Sequence, residues 1–304
     1  MNKALGKKLL APLAMAVLMP LLMPLLMPLS AMATVINAPQ ESSVAEEKRI
    51  ISAGNGITEI IYALGAGEQL VAVDLTSNYP PQVNKLPKLG YHKQLSAEGI
   101  LALKPDMLIG TDDMGPKSTI TQLEMAGLEV ESYGTSNSAE NIHKRISSMA
   151  TLLGKEEQGK ALWQSISSDL KAAEELAEGK KKPKVLFLLA MEGRTPSVSG
   201  SGTEANALIK LAGGFNPAEE QFSSYKPLSN ESLLIMAPDI IIYSDRGRGL
   251  TMEQLLDSQP VLKQTPAGKN ARVITVDGRL LLGGLGPRTG ETALNLAKAF
   301  YPES

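Results

Sequence analysis

From Arg49 onward the apolar positions fall into two alternating patterns. Short apolar runs bounded by Gly, Pro, Asn or Asp read as strands: Arg49 to Ser52, Leu70 to Val73, Met107 to Gly110, Glu129 to Tyr133, Val185 to Leu189, Ile240 to Tyr243 and Val273 to Val276. Between them, apolar residues recur at helical spacing. Thr58 to Leu64 is closed by Gly65, Leu95 to Leu103 is stopped by Lys104-Pro105, and Ser118 to Ala126 is closed by Gly127. Thr203 to Leu211, Glu231 to Met236 and Thr289 to Phe300 read the same way. Strand and helix taking turns predicts an α/β fold with parallel sheets.

The middle of the chain breaks this rhythm. From Ser138 to about Gly179 there is little Gly and no Pro. Ile142, Ile146, Met149, Leu153, Leu162, Ile166 and Leu170 keep helical spacing throughout. The stretch predicts one long helix, or two in series with a break at Gly154, ending at the basic run Lys180 to Lys184. The fold class that follows is α/β, with two lobes of parallel-type sheets joined by one long backbone helix. The expected boundaries are 48–137 for the first lobe, 138–182 for the linker and 183–304 for the second lobe.

The two α/β regions share a repeat. Leu95-Ser96-Ala97-Glu98-Gly99-Ile100-Leu101-Ala102-Leu103-Lys104-Pro105-Asp106 precedes the Met107 strand. Leu228-Ser229-Asn230-Glu231-Ser232-Leu233-Leu234-Ile235-Met236-Ala237-Pro238-Asp239 precedes the Ile240 strand, and the two copies align without a gap at a constant offset of 133. Each copy reads as a serine cap, a first-turn glutamate, an apolar helix, a Pro-Asp turn and a buried strand. A glutamate favouring a helix start explains either copy alone. Two copies suggest docking points for a two-fold symmetric partner.

Charge and composition narrow the function. Lys3, Lys7 and Lys8 precede an apolar segment that is interrupted by Pro12, Pro20, Pro24 and Pro28 and followed by Ala31-Met32-Ala33. This reads as a cleavable secretory signal peptide over residues 1–33, so a periplasmic protein is expected. The whole chain has a formal net charge of −2, and losing three lysines makes the mature part more acidic. No basic footprint for nucleic acid exists. With no cysteine, a disulfide framework, a thiolate metal site and a lipid-modified cysteine are excluded, so no direct membrane anchor is expected. Two histidines, His92 and His143, are too few for a multi-imidazole zinc site. No G-x-S-x-G, P-loop or H-E-x-x-H motif occurs. A monomeric binding protein is expected, not an enzyme.

Two α/β lobes, a helical linker and this repeated element resemble the helix-backbone class of periplasmic binding proteins, which serve ABC importers of siderophores, cobalamin and haem. The resemblance covers roughly residues 48–302. Three stretches bring it closest to the haem-binding subgroup: Leu89-Gly90-Tyr91-His92-Lys93-Gln94-Leu95-Ser96, Tyr225-Lys226-Pro227-Leu228-Ser229, and Leu281-Leu282-Gly283-Gly284-Leu285-Gly286-Pro287-Arg288.

The resemblance implies haem as the transported ligand, Tyr91 as an axial ligand to its iron, and an ABC permease with its ATPase as partners. Ferric iron is a hard Lewis acid, and phenolate is a hard anionic donor. Lys93 either stabilises the phenolate or meets a propionate; the subgroup more often carries arginine there, whose fork lysine lacks. Some relatives place a second axial histidine after the strand matching Val185 to Leu189. Here that stretch is Ala190-Met191-Glu192-Gly193-Arg194, which points to a single, tyrosine-ligated haem and leaves Arg194 for an iron-bound anion or a propionate. Tyr225 either stacks on the porphyrin or packs beneath its loop. Arg246, Arg248 and Arg288 are further propionate candidates. His92 is expected in a rim or loop role rather than as a second ligand, and His143 in a structural role. Glu98 and Glu231 are the expected permease contacts. The alternatives are a ferric-siderophore or cobalamin carrier of the same class and, further off, an exported enzyme.

Overall fold

The structure, a computed structural model, describes residues 48–189, 196–244 and 251–302. The signal segment, Met191, Arg194, Arg246 and Arg248 lie outside the described residues.

The first sheet is built as the apolar runs require. β1 (Ile50–Ala53), α1 (Asn55–Ala63), β2 (Leu70–Val73), α2 (Ala97–Leu101), β3 (Met107–Thr111), α3 (Lys117–Met125) and β4 (Glu129–Tyr133) follow in chain order. The strands lie in the order β2-β1-β3-β4, all parallel. β1 and β3 are buried on both faces, which is why they read as unbroken apolar runs rather than alternating ones.

The linker takes the second of its two readings. α4 (Ala139–Leu152) and α5 (Glu156–Ala177) are separate helices in series. Gly154 adopts φ +64, and the Lys155 N–H reaches back to the Ala150 carbonyl at 2.7 Å. That closes α4 with a left-handed residue that glycine supplies without steric cost.

The second sheet comprises β5 (Val185–Leu189), β6 (Ser197–Ser199), β7 (Tyr225–Pro227), β8 (Ile240–Ser244) and β9 (Val273–Thr275). Their order is β7-β6-β5-β8-β9. β5, β8 and β9 are parallel, but β6 and β7 join antiparallel. The expected parallel core is there, and two short antiparallel strands at one side make the sheet mixed. α6 (Glu204–Leu211), α7 (Asn230–Met236), α8 (Met252–Ser258), α9 (Pro266–Lys269) and α10 (Thr289–Phe300) complete the chain.

One apolar cluster runs through both sheets. It joins Ile50, Ile57 and Ile109 of the first to Phe187 and Ile242 of the second, with Ile146 and Ile166 of the linker and Leu285 and Phe300 from the carboxyl end. Main chain meets main chain at the turn before α1: a Cβ on Gly56 would lie 2.4 Å from the Gly284 carbonyl, and one on Gly283 would lie 2.7 Å from Gly54 Cα. The third stretch of the resemblance therefore forms part of a backbone seam. Arg145 of α4 is buried there, donating to Gly134 O at 2.8 Å and Leu285 O at 2.6 Å.

Candidate functional site

The carboxyl ends of parallel strands leave backbone groups and loop side chains facing a common crevice, where ligands of open α/β sheets bind. In the first sheet those ends carry Asp74 after β2, Asp112 and Asp113 after β3, and Gly134 after β4.

The loop bearing Tyr91 is tied down on both sides of this crevice. Leu89 N–H bonds to Val73 O at 2.9 Å and Leu75 N–H to Gly90 O at 2.7 Å. Further on, Gly115 N–H bonds to His92 O at 2.9 Å and Leu95 N–H to Gly115 O at 2.7 Å. Tyr91 is 40% exposed at the tip. Its neighbour turns the other way: His92 is 3% exposed, with its ring edge-on to Tyr91 at 4.4 Å between centroids. His92 thus lies on the loop, one of its two expected places, but buried under Tyr91 between Asp74 and Asp113 rather than on the rim.

His92 Nδ1 lies 3.4 Å from Asp74 Oδ2, and its Nε2 lies 3.7 Å from Asp113 Oδ1. Asp74 is in turn saturated by donors: Gly54 N–H at 3.0 Å, Thr76 N–H at 3.0 Å, Thr76 Oγ1 at 2.6 Å and Ser77 Oγ at 2.6 Å. Ser77 continues through Thr58 at 2.7 Å to Ser52 of β1 at 2.6 Å. Burial alone would push the Asp74 carboxyl up. The close His92 imidazole and the hydrogen bonds from Ser77, Thr76 and the Gly54 N–H outweigh it and hold the group below the usual carboxylate range.

Lys93 Nζ lies 2.5 Å from Asp113 Oδ2. The hydrogen bond to Asp113 raises the lysine's pKa against the effect of burial, and the nearby Tyr91 adds to the rise. Asp113 also accepts from Thr111 Oγ1 at 2.6 Å. The ammonium is thus fixed beside the exposed phenol by a strand-anchored carboxylate. Tyr133, at the end of β4, is unlike Tyr91: burial, helped by Glu131, pushes its phenol up to about 12, so it is a poor phenolate donor.

The second lobe contributes Glu204 in the first turn of α6. Its carboxyl is pushed up, first by burial and then by the Asp113 charge, against the lowering effects of its backbone hydrogen bond, Lys93 and Arg145. Tyr225 on β7 is half-buried, with its ring edge-on to Phe187 at 6.5 Å. Arg288, a propionate candidate by sequence, is engaged by groups of its own chain. It clasps Glu59 through Nη2 at 2.5 Å and Nε at 3.0 Å, and lies 4.3 Å over the Tyr79 ring. His143 stacks on Trp163 at 4.4 Å, far along the linker from the Tyr91 loop in sequence.

The structure thus brings Tyr91 and Lys93 together and adds His92, Asp74, Asp113 and Glu204, of which sequence reasoning had found only the histidine. The missed signal was positional: Asp74 and Asp113 directly follow strands of a parallel sheet. Glu98 and Glu231 are exposed on α2 and α7. A cavity of about 910 Å³ lies away from this loop, along the linker between Trp163, Leu170, Glu174, Lys180 and Leu211.

Residues 50–280 match the family described as periplasmic binding protein. The periplasmic haem-binding protein HutB of Vibrio cholerae superposes with a TM-score of 0.76 at 40% identity, covering 84% of this chain and 100% of that one. The haem-binding protein BhuT, in complex with two haems, superposes at 0.75 with 35% identity, covering 84% and 98%. A vitamin B12-binding protein of Pectobacterium carotovorum is 25% identical over 201 residues, 66% of this chain and 72% of its own.

Proposed function

The chain belongs to the periplasmic binding protein family, and from that premise we propose that it is a haem carrier, exported by a cleaved signal peptide and unloading to an ABC permease and its ATPase. The observation that carries this reading is the exposed Tyr91 phenol on a doubly anchored loop, with the Lys93 ammonium fixed beside it. An unperturbed phenol has a pKa near ~10, so binding as phenolate needs a cation nearby and a metal that prefers hard anionic oxygen. Ferric haem supplies the second requirement. The likeness to HutB supports the same cargo.

One haem per chain is the proposed stoichiometry, although BhuT holds two. The chain has two histidines; one is shut beneath Tyr91 and the other is stacked on the linker. Neither is in the second lobe, so a second axial imidazole is missing from the sequence itself. Lys93 and Arg194 are the proposed polar partners of the haem, with Tyr225 at the second lobe's edge. Glu98 and Glu231 are the proposed permease contacts.

Haemin titration of the purified protein tests the cargo. A phenolate-to-iron charge-transfer band should grow to one equivalent, and Tyr91→Ala should abolish it. Saturable cobalamin binding without haemin binding would overturn the haem reading in favour of the vitamin B12-binding relatives' cargo.

A further inference from the structure

The duplicated element repeats in more than sequence. Ser96 Oγ accepts from Gly99 N–H at 3.3 Å, and Ser229 Oγ from Ser232 N–H at 3.1 Å. Lys104 and Ala237, at matching positions, share the left-handed backbone, with φ 46 and φ 43. Asp106 then accepts from Arg49 N–H at 2.7 Å, and Asp239 from Lys184 N–H at 2.8 Å, in each case just ahead of the neighbouring strand. The same fastenings therefore fix the same helix face ahead of an interior strand of each sheet.

That face carries a second residue type. Leu101 and Leu234 occupy matching positions and are each 38% exposed. Each lies three residues beyond its glutamate, and so on the same helix face. The residues just before them, Ile100 and Leu233, are 0% and 6% exposed and satisfy the core. Exposed leucines taken singly carry no message. Here, recurrence at the same position with the same exposure, beside the same carboxylate, carries the argument. The second copy also extends further: Ile235 is 70% exposed where the first copy has Ala102.

We propose that each docking point is a two-part contact, glutamate plus leucine, matching a permease surface that offers a cation beside an apolar socket twice over, with the second-lobe point the more apolar. The inference rests on the docking reading of Glu98 and Glu231. The permease is favoured over a second copy of this chain because paired copies of this face would set glutamate against glutamate.

The test is binding of the loaded protein to its importer in lipid nanodiscs across a salt series, with a haemin titration and a thermal melt of each variant. L101Q/L234Q should weaken docking by about tenfold, from the apolar area left uncovered, with unchanged haem spectrum and melt. E98Q/E231Q should instead flatten the salt dependence. L234Q/I235Q should cost more than L101Q. If L101Q/L234Q docks as wild type while E98Q/E231Q does not, the leucine inference falls and the glutamate reading stands. If both dock as wild type, both readings fail together. Concentration-dependent self-association that L101Q/L234Q abolishes would reassign the face to a second copy and overturn the proposal.

Discussion

His92 Nδ1 sits 3.4 Å from Asp74 Oδ2, both side chains closed to water, while Tyr91 beside the histidine is 40% exposed. The accessible phenol therefore rests on a buried polar column that runs down to Ser52 of β1. Replacing His92 by Phe should keep the ring volume but leave the Asp74 charge with one partner fewer. Asp74 keeps its hydrogen bonds from Gly54, Thr76 and Ser77, so a loss of only about 1 kcal/mol is expected, read by urea unfolding. The Soret and charge-transfer positions of the haem complex should shift as Tyr91 loses its support. An unchanged spectrum would reduce His92 to a packing role.

Asp74 makes stability depend on acid in a fixed direction. Its folded pKa lies below its unfolded value, so its contribution is complete above the ordinary aspartate range, about 3.9. It is lost as pH falls through the lower folded value. Wild type and Asp74→Asn should differ by a constant amount between about pH 5 and 7 and converge below about pH 4. Denaturation curves that stay parallel into that acid range would show that Asp74 is not the group responsible.

Lys93 and Asp113 should separate in a pairwise comparison. Lys93→Met removes the cation beside the phenol and should weaken haemin binding, with a pH midpoint for the charge-transfer band higher than in wild type. Asp113→Asn frees the ammonium without removing it, so binding should be affected less. Equal losses in both variants would mean that the ion pair, rather than the cation, is what the site needs.

Arg288 is expected to matter for stability and not for cargo. Arg288→Ala strands Glu59, which is 5% exposed, and the cost should be about 3–5 kcal/mol, seen as a lowered Tm. Glu59→Gln/Arg288→Met should recover much of that loss. Haemin affinity should hold wherever the variant remains folded; a selective loss of affinity would restore Arg288 as a propionate partner.

Charge reversal at Glu98 and Glu231 together should stop uptake while leaving the absorption titration unaltered, since neither carboxylate reaches the Tyr91 loop in the described contacts. Growth on haem as the iron source provides the measurement. Normal growth of the double variant would remove both residues from docking.

The central strands and capped helices were legible because each agrees with its local chemistry. β4, β5 and α10 occupy the spans that their apolar patterns predict, and Ser96 and Ser229 cap as placed. β6 and β7 were not legible. They are three-residue edge strands, too short for a period to register. At the site, Tyr91 and Lys93 came from a motif and stand together. The acids around His92 did not, because an aspartate after a strand has the composition of any turn; only the parallel register places Asp74 and Asp113 in one crevice. Burial separates His92 from Tyr91, and adjacency in sequence gives no sign of it.

The backbone seam has a consequence for how the chain reaches its folded state. Gly56 N–H bonds to Leu282 O at 3.3 Å, Asn55 Nδ2 to Arg279 O at 3.1 Å, and Glu59 is clasped by Arg288. The turn that opens α1 is thus finished by residues near the other terminus. Contacts so distant along the chain form late and slow folding. The turn that opens α1 cannot be completed until residues 279–288 are available. A polypeptide proposed to thread through a membrane channel before folding gains time from that delay.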